Sequence, residues 1–142
     1  MKNRVSLIIL YDTKFRYLLQ QRTDDAKRLP GYWAFFGGGI LPGESPTEAV
    51  KREAKEEINF LCQNQELIHE REYTLPTGEQ GHMYVFIERV IQDSISRLSL
   101  HEGQNWGWFD IKEASVLKMI AHDGQILQYV DDLLKKRKKQ GG

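Results

Sequence analysis

Residues 38–60 read GGILPGESPTEAVKREAKEEINF, and the organisation of the chain is best read outward from this stretch. With Gly37 ahead of it, the segment opens on three glycines, crosses a loop that holds Glu44, and enters a helix marked at both ends. Ser45 is a good N-cap, Pro46 suits the first helical position, and Glu48 completes a capping box. Asn59 stands where the chain must leave the helix, and asparagine tolerates the left-handed conformation needed there. At about 100° per residue, Val50, Ala54 and Ile58 form one apolar stripe. Glu53, Glu56 and Glu57 share an arc of about 100° on another face, and Lys51 and Lys55 lie roughly opposite them.

Three carboxylates at i, i+3 and i+4 repel one another by a few tenths of a kcal/mol per pair in an isolated helix. A hard divalent cation with oxygen ligands is the natural compensation. A solvated acidic face balanced by Lys51, Arg52 and Lys55 is the plainer alternative. Two features favour the cation: the glycine backbone can approach a ligand closely, and Arg52 can orient Glu44 by a charge-assisted bond.

Around this helix the chain reads as alternating strands and helices. Residues 5–11 are an apolar, branched run expected as a buried strand. Asp12, Thr13 and Lys14 turn into a second strand at 16–21 (RYLLQQ), giving a hairpin. Residues 23–30 are loop-like, and 33–36 read as one short aromatic strand. Strands are expected at 67–73 and 82–90, joined by a turn at Pro76, Thr77 and Gly78, and again at 106–109. Asp110 caps a short helix to about residue 117, and a last helix runs from about 123 to 139. Trp106 and Trp108 are expected on opposite sides of their strand. Interleaved elements of this kind imply an α/β fold with a mixed central sheet and helices on its faces.

The bulk figures narrow the function. The chain has 142 residues, a length suited to a single domain. Lys plus Arg equals Asp plus Glu at 20 each, so net charge offers no reason to expect nucleic acid or an anionic membrane as partner. Cys62 is the lone cysteine, which excludes an internal disulfide and a multi-cysteine zinc site, and it reads as a small space-filling residue. The apolar run near the N-terminus is too short for a signal-peptide core or a membrane span. A cytoplasmic location is the expectation.

The spacing resembles the signature of the Nudix hydrolase family, the branch that includes the MutT-like enzymes. That signature is Gly, five residues, Glu, seven residues, then Arg-Glu-apolar-any-Glu-Glu-any-Gly-apolar. Here Gly38, Glu44, Arg52, Glu53, Ala54, Glu56, Glu57 and Phe60 match, and Asn59 replaces the second glycine. Phe36 also stands where many relatives have proline before the glycine pair. The resemblance implies a Nudix-type α/β/α sandwich over residues 1–142 and metal-dependent hydrolysis of a diphosphate bond in a nucleoside diphosphate derivative. It implies Mg2+, with Mn2+ as the other candidate, bound by Glu53, Glu56 and Glu57 with the Gly38 carbonyl as a further ligand. Glu44 and Arg52 would hold loop and helix in register. Relatives often carry another acid in a late loop, and Glu102, beside His101, matches it as base or metal ligand. Glu53 and Glu56 remain alternatives for the base.

Arg22 is the candidate for a substrate phosphate, with Lys27 and Arg28 behind it. Trp33, Tyr32 or Phe35 can stack on a base, although aromatic strand residues usually pack in the core. His69, His82 and His122 read as isolated residues. The basic run at 135–139 (KKRKK) complements the end of the last helix; contact with RNA is the lesser reading. The leading expectation is a pyrophosphohydrolase of a nucleoside or deoxynucleoside triphosphate, or of an oxidised guanine nucleotide. A nucleotide-sugar or dinucleoside polyphosphate hydrolase is one alternative, and a non-catalytic nucleotide sensor another. A small-molecule nucleotide is the expected partner, and homodimers occur in the family.

Overall fold

The apolar run near the N-terminus is a strand, β1 (Asn3–Tyr11), at the centre of a seven-stranded mixed sheet. The computed structural model describes residues 3–91, 97–100 and 105–141. The other strands are β2 (Tyr17–Gln21), β3 (Trp33–Ala34), β4 (Phe36–Gly39), β5 (Glu66–Thr74), β6 (Gln80–Arg89) and β7 (Asn105–Phe109). Helices are α1 (Pro46–Ile58), α2 (Ile111–Ala114) and α3 (Ala121–Gly141). The path through the sheet is β3-β2-β1-β6-β5, with β4 on β1 and β7 on β2. β1 pairs with β6 in parallel over its whole length and with β2 and β4 antiparallel, which is the mixed pattern expected.

Ile8, Ile9 and Leu10 are consecutive and all fully buried, because helices cover both faces of the sheet and a strand between two layers has no polar side. Ile9, with Tyr17, Leu19, Val85 and Ile87, packs against Ile126, Leu127, Val130 and Leu134 of α3. Ile8 and Leu10, with Leu18 and Phe86, pack against Val50, Ala54 and Ile58 of α1. These two cores make the α/β/α sandwich. No helix among the described residues is long and apolar enough to cross a membrane.

Three details differ from the sequence reading. Residues 33–36 are not one strand. Trp33 and Ala34 pair with β2, whereas Phe36 and the glycines continue as a separate strand on β1. The chain changes partner at Phe35. Gly37, at φ +136, then lies so close to β1 that a Cβ would sit 2.1 Å from the Ser6 carbonyl oxygen. The short helix after Asp110 ends at Ala114, earlier than expected, while the last helix is longer at both ends. Trp106 and Trp108 pack on the same core beside α1, since residues two apart on a strand share a face.

The end of α3 is tied down by its own cations. Arg137 makes two bonds to Glu66 of β5, at 2.9 and 2.7 Å, and Lys135 reaches Asp131 at 2.8 Å. The buried Asp131 also accepts from the Tyr17 hydroxyl. Part of the basic run therefore anchors the helix. Burial pushes the Cys62 thiol up to about 12, so it stays protonated and unreactive, as the space-filling reading expects.

Candidate active site

The site grows from the junction of β4 with α1. Ser45 caps α1: its hydroxyl accepts from the Glu48 N–H, and the Glu48 carboxylate accepts from the Ser45 N–H. Asn59 ends the helix at φ 57°, in the left-handed region. There the N–H groups of Asn59 and Phe60 satisfy the carbonyls of Lys55 and Ala54. Ser6 donates from β1 to the Pro46 carbonyl at 2.8 Å, locking the first turn to the sheet. With both ends held, the acidic face of α1 lies against the glycine strand.

Two carboxylates meet that strand. Glu57 Oε1 accepts from the Gly37 N–H at 2.7 Å, and Glu57 is only 5% exposed. Glu53 packs onto Gly38, where a Cβ would come within 2.6 Å of its Oε1. Glycine is required at Gly37 for the backbone approach to β1, and at Gly38 its missing side chain leaves the space that the Glu53 carboxylate occupies. Gln20 of β2 approaches Glu57 Oε2 from the opposite side at 3.4 Å.

Arg52 is the hub of the outer half. Its Nε and Nη2 grip both oxygens of Glu44 at 2.8 and 3.0 Å, and Nη2 also donates to the Gly39 carbonyl at 2.9 Å. Nη1 reaches Glu53 at 2.9 Å and Glu56 at 3.4 Å. Glu44 also accepts from the Leu41 N–H at 3.0 Å. The Arg52 hydrogen bonds and that backbone bond hold the Glu44 carboxyl at about 2, well below the usual carboxylate range, and Arg52 is raised in turn, chiefly by its bond to Glu44. Arg52 thus staples the loop to the helix with a charged fork.

Among the described residues, no three carboxylate, imidazole or thiol groups already converge on one point as a metal site. Arg52 engages Glu53 and Glu56, while Glu57 faces the glycine strand. The donor chemistry nevertheless fits a hard divalent cation. Glu53 and Glu57 are oxygen donors against adjacent glycines, Glu56 extends from the same helix face, and the Glu53 carboxylate fills the space beside Gly38 that a side chain would take.

A cavity of about 710 Å3 opens beside these groups. Glu57, Gln20 and the three glycines form one end; Val5, Leu7, Phe35 and Met83 are part of its apolar wall; Arg22 and Arg28 lie along it. Its volume is that of a pocket for a nucleotide-sized molecule. Arg22, expected at a phosphate, does line the cavity, and its Nε donates to the Arg28 carbonyl at 2.7 Å. Trp33 does not line it. Its ring packs edge-on against Phe109 at 5.0 Å, the core role weighed against stacking. Tyr32 lies under the Lys118 ammonium, and Phe35 is a buried wall residue. Glu102 and His101 lie outside the described residues.

The sequence reading missed Gln20 and Asp123. Gln20 was detectable as an amide inside an apolar strand. Asp123, in the first turn of α3, lines the cavity with its neighbour His122 and is 6% exposed. Burial pushes its carboxyl up to about 7, against the opposing pull of Arg71. Burial also lowers His122.

The comparisons with known proteins agree with this architecture. The NUDIX domain family description matches residues 1–130. Nucleoside triphosphatase NudI of Escherichia coli O1:K1 / APEC is 41% identical over 58 residues, which is 41% of this chain and 41% of that protein. The chain therefore matches less than half the length of that curated relative. Among solved structures, the MutT protein of Methanosarcina mazei Go1 superposes with a TM-score of 0.80 at 21% identity, covering 94% of this chain and 96% of that one. The E. coli ORF135 protein gives 0.74 at 25% identity, covering 96% and 94%. Members of the family are generally divalent-metal dependent. With the family match spanning nearly the whole chain, this chain belongs to the NUDIX domain family.

Proposed function

We propose that the protein hydrolyses a phosphoanhydride bond of a nucleoside triphosphate, ordinary or oxidised at guanine, releasing a nucleoside monophosphate and pyrophosphate. The observation that carries this reading is the cavity whose one end is Glu57 and the glycine strand. Its wall is apolar enough to take a base, and its other charged groups include two arginines. The name of the E. coli relative, a nucleoside triphosphatase, points the same way.

Glu53, Glu56 and Glu57 would hold Mg2+ or Mn2+, with the Gly38 carbonyl available beside them. When bound, such a cation supplies positive charge to the phosphates and activates water. The chain's own groups provide positioning, which is most of what phosphoryl transfer needs. Glu57 is fixed by the Gly37 N–H, Arg52 keeps the Glu44 loop against α1, and Arg22 offers its guanidinium along the cavity wall. Glu102, Glu53 and Glu56 are the candidates for the general base. The same reading makes the protein a cytoplasmic enzyme of soluble nucleotides.

The test is a substrate panel with Mg2+ and with Mn2+: ordinary and oxidised nucleoside triphosphates, nucleotide sugars and dinucleoside polyphosphates, products separated by chromatography. Glu56→Gln and Glu57→Gln are run alongside. Cleavage of a triphosphate to the monophosphate, lost in both variants, supports the proposal. Preferential cleavage of a sugar or dinucleotide substrate replaces it, and nucleotide binding without any turnover would make the protein a sensor.

A further inference from the structure

The cavity has two lips from distant parts of the chain. One is the loop of residues 22–32, which contributes Arg22, Thr23, Ala26, Arg28 and Leu29; the other is the β5–β6 hairpin, which contributes Tyr73 and Leu75. An ion pair joins them: Arg28 Nη2 lies 2.8 Å from Glu79 Oε2. Both side chains reach solvent, at 54% and 34% exposure. The first lip is held in a tense form. Leu29, next to Arg28, adopts φ 48°, which a leucine rarely takes. The Arg28 carbonyl is fixed by Arg22 Nε at 2.7 Å and the Leu29 carbonyl by the Tyr32 N–H at 3.2 Å. The backbone of this lip is thus pinned, while the Arg28 guanidinium, itself exposed, pairs with the half-buried Glu79 carboxylate.

The geometry points to Arg28 and Glu79 as an exchange clasp: Glu79, on the hairpin, holds the guanidinium of the cavity-lining Arg28 until the phosphates of an incoming nucleotide take it over. This rests on the nucleotide-hydrolase reading above. A guanidinium pairs with a carboxylate and with a phosphate through the same planar fork, so the exchange needs no new donor. A nucleotide polyphosphate carries several negative charges where Glu79 carries one, so Coulomb attraction favours the transfer. Glu79 is then a specificity-determining residue that never touches the reacting atoms. By occupying Arg28 it raises the KM for every substrate and penalises weakly charged ligands most. Exposed pairs of this kind are weak enough to be displaced.

The test compares wild type, Glu79→Gln, Arg28→Gln and the double variant. It uses steady-state kinetics on the triphosphate cleaved fastest, together with binding of its α,β-methylene analogue. Thermal melting of each variant confirms folding. Glu79→Gln should lower KM by about two- to fivefold, the range set by an exposed ion pair, with kcat unchanged. Arg28→Gln should raise KM, and the double variant should match Arg28→Gln, because Glu79 acts only through Arg28. Three outcomes overturn the clasp. The two single variants could move KM in the same direction, which is a structural tie. The Glu79→Gln effect could persist without Arg28, which is direct repulsion. Or Glu79→Gln could change nothing. If wild type binds the analogue but cleaves no nucleotide, the hydrolase reading falls and the clasp is judged on the dissociation constants alone. If wild type binds no nucleotide, both fall.

Discussion

Replacing Asp123 by asparagine should stabilise the protein above neutral pH and leave it nearly unchanged in acid. Asp123 is buried at the start of α3, where burial moves its carboxyl from 3.8 to about 7. Below about pH 4 the group is protonated in both folded and unfolded chains, and the fold keeps its full stability. Between about 4 and 7 the unfolded chain releases the proton while the folded chain retains it, so stability falls as pH rises through that window. The accumulated cost is roughly 4 kcal/mol at pH 8, at about 1.4 kcal/mol for each pH step. It is an upper figure, because Asp123 faces a cavity that water can enter. The asparagine of the Asp123→Asn variant keeps the shape and cannot ionise. Its advantage should therefore grow from about 1 kcal/mol at pH 4.5 to a rise in Tm on the order of 10 °C at pH 8. The assay is thermal unfolding of both proteins in matched buffers from pH 4.5 to 8.5. Groups that titrate alike in both cancel in the difference. His122, whose Nε2 is 3.3 Å from Asp123, is lowered by burial and is neutral in the upper half of the range. A Tm difference that stays flat across the series, or a variant less stable at pH 8, refutes the argument.

Further substitutions at four positions test how the site is framed. Ser45→Ala removes one half of the capping box and should cost about 1 kcal/mol, read as a lower denaturant midpoint with unchanged m. Gly37→Ala should prevent proper docking of β4, because the new Cβ would lie 2.1 Å from a backbone oxygen, whereas Gly39→Ala, with nothing within 4 Å, should melt like wild type; equal melting of the two would contradict the packing described. Asn59→Val should destabilise by roughly 1–2 kcal/mol through its left-handed conformation, while Asn59→Gly should stay close to wild type in the same unfolding assay.

The family, the capped helix and the acidic face were legible in the sequence because each rests on local rules. Capping follows from the types of residues three apart, and the grouping of Glu53, Glu56 and Glu57 follows from the helical period alone. The left-handed exit at Asn59 was legible for the same reason. Local rules could also place apolar strands and the turn at Gly78, but not the partners of those strands. The change from β2 to β1 at Phe35 splits one expected strand into two, and it depends on residues some thirty positions away in sequence.

Within the site, the sequence by itself determined which carboxylates share a face and which arginine could reach Glu44. Only the tertiary structure decided which of those carboxylates is buried. Glu57 borders the apolar stripe of α1 and is carried under the glycine strand, whereas Glu56, one residue before it, stays exposed. The cavity is wholly a product of packing: Gln20, Asp123 and Arg28 come from a strand, a helix and a loop with no common local pattern. Their proximity is set by how the sheet and α3 close on each other. A helical or strand period reports the geometry of a few neighbouring residues and carries no information about that closure.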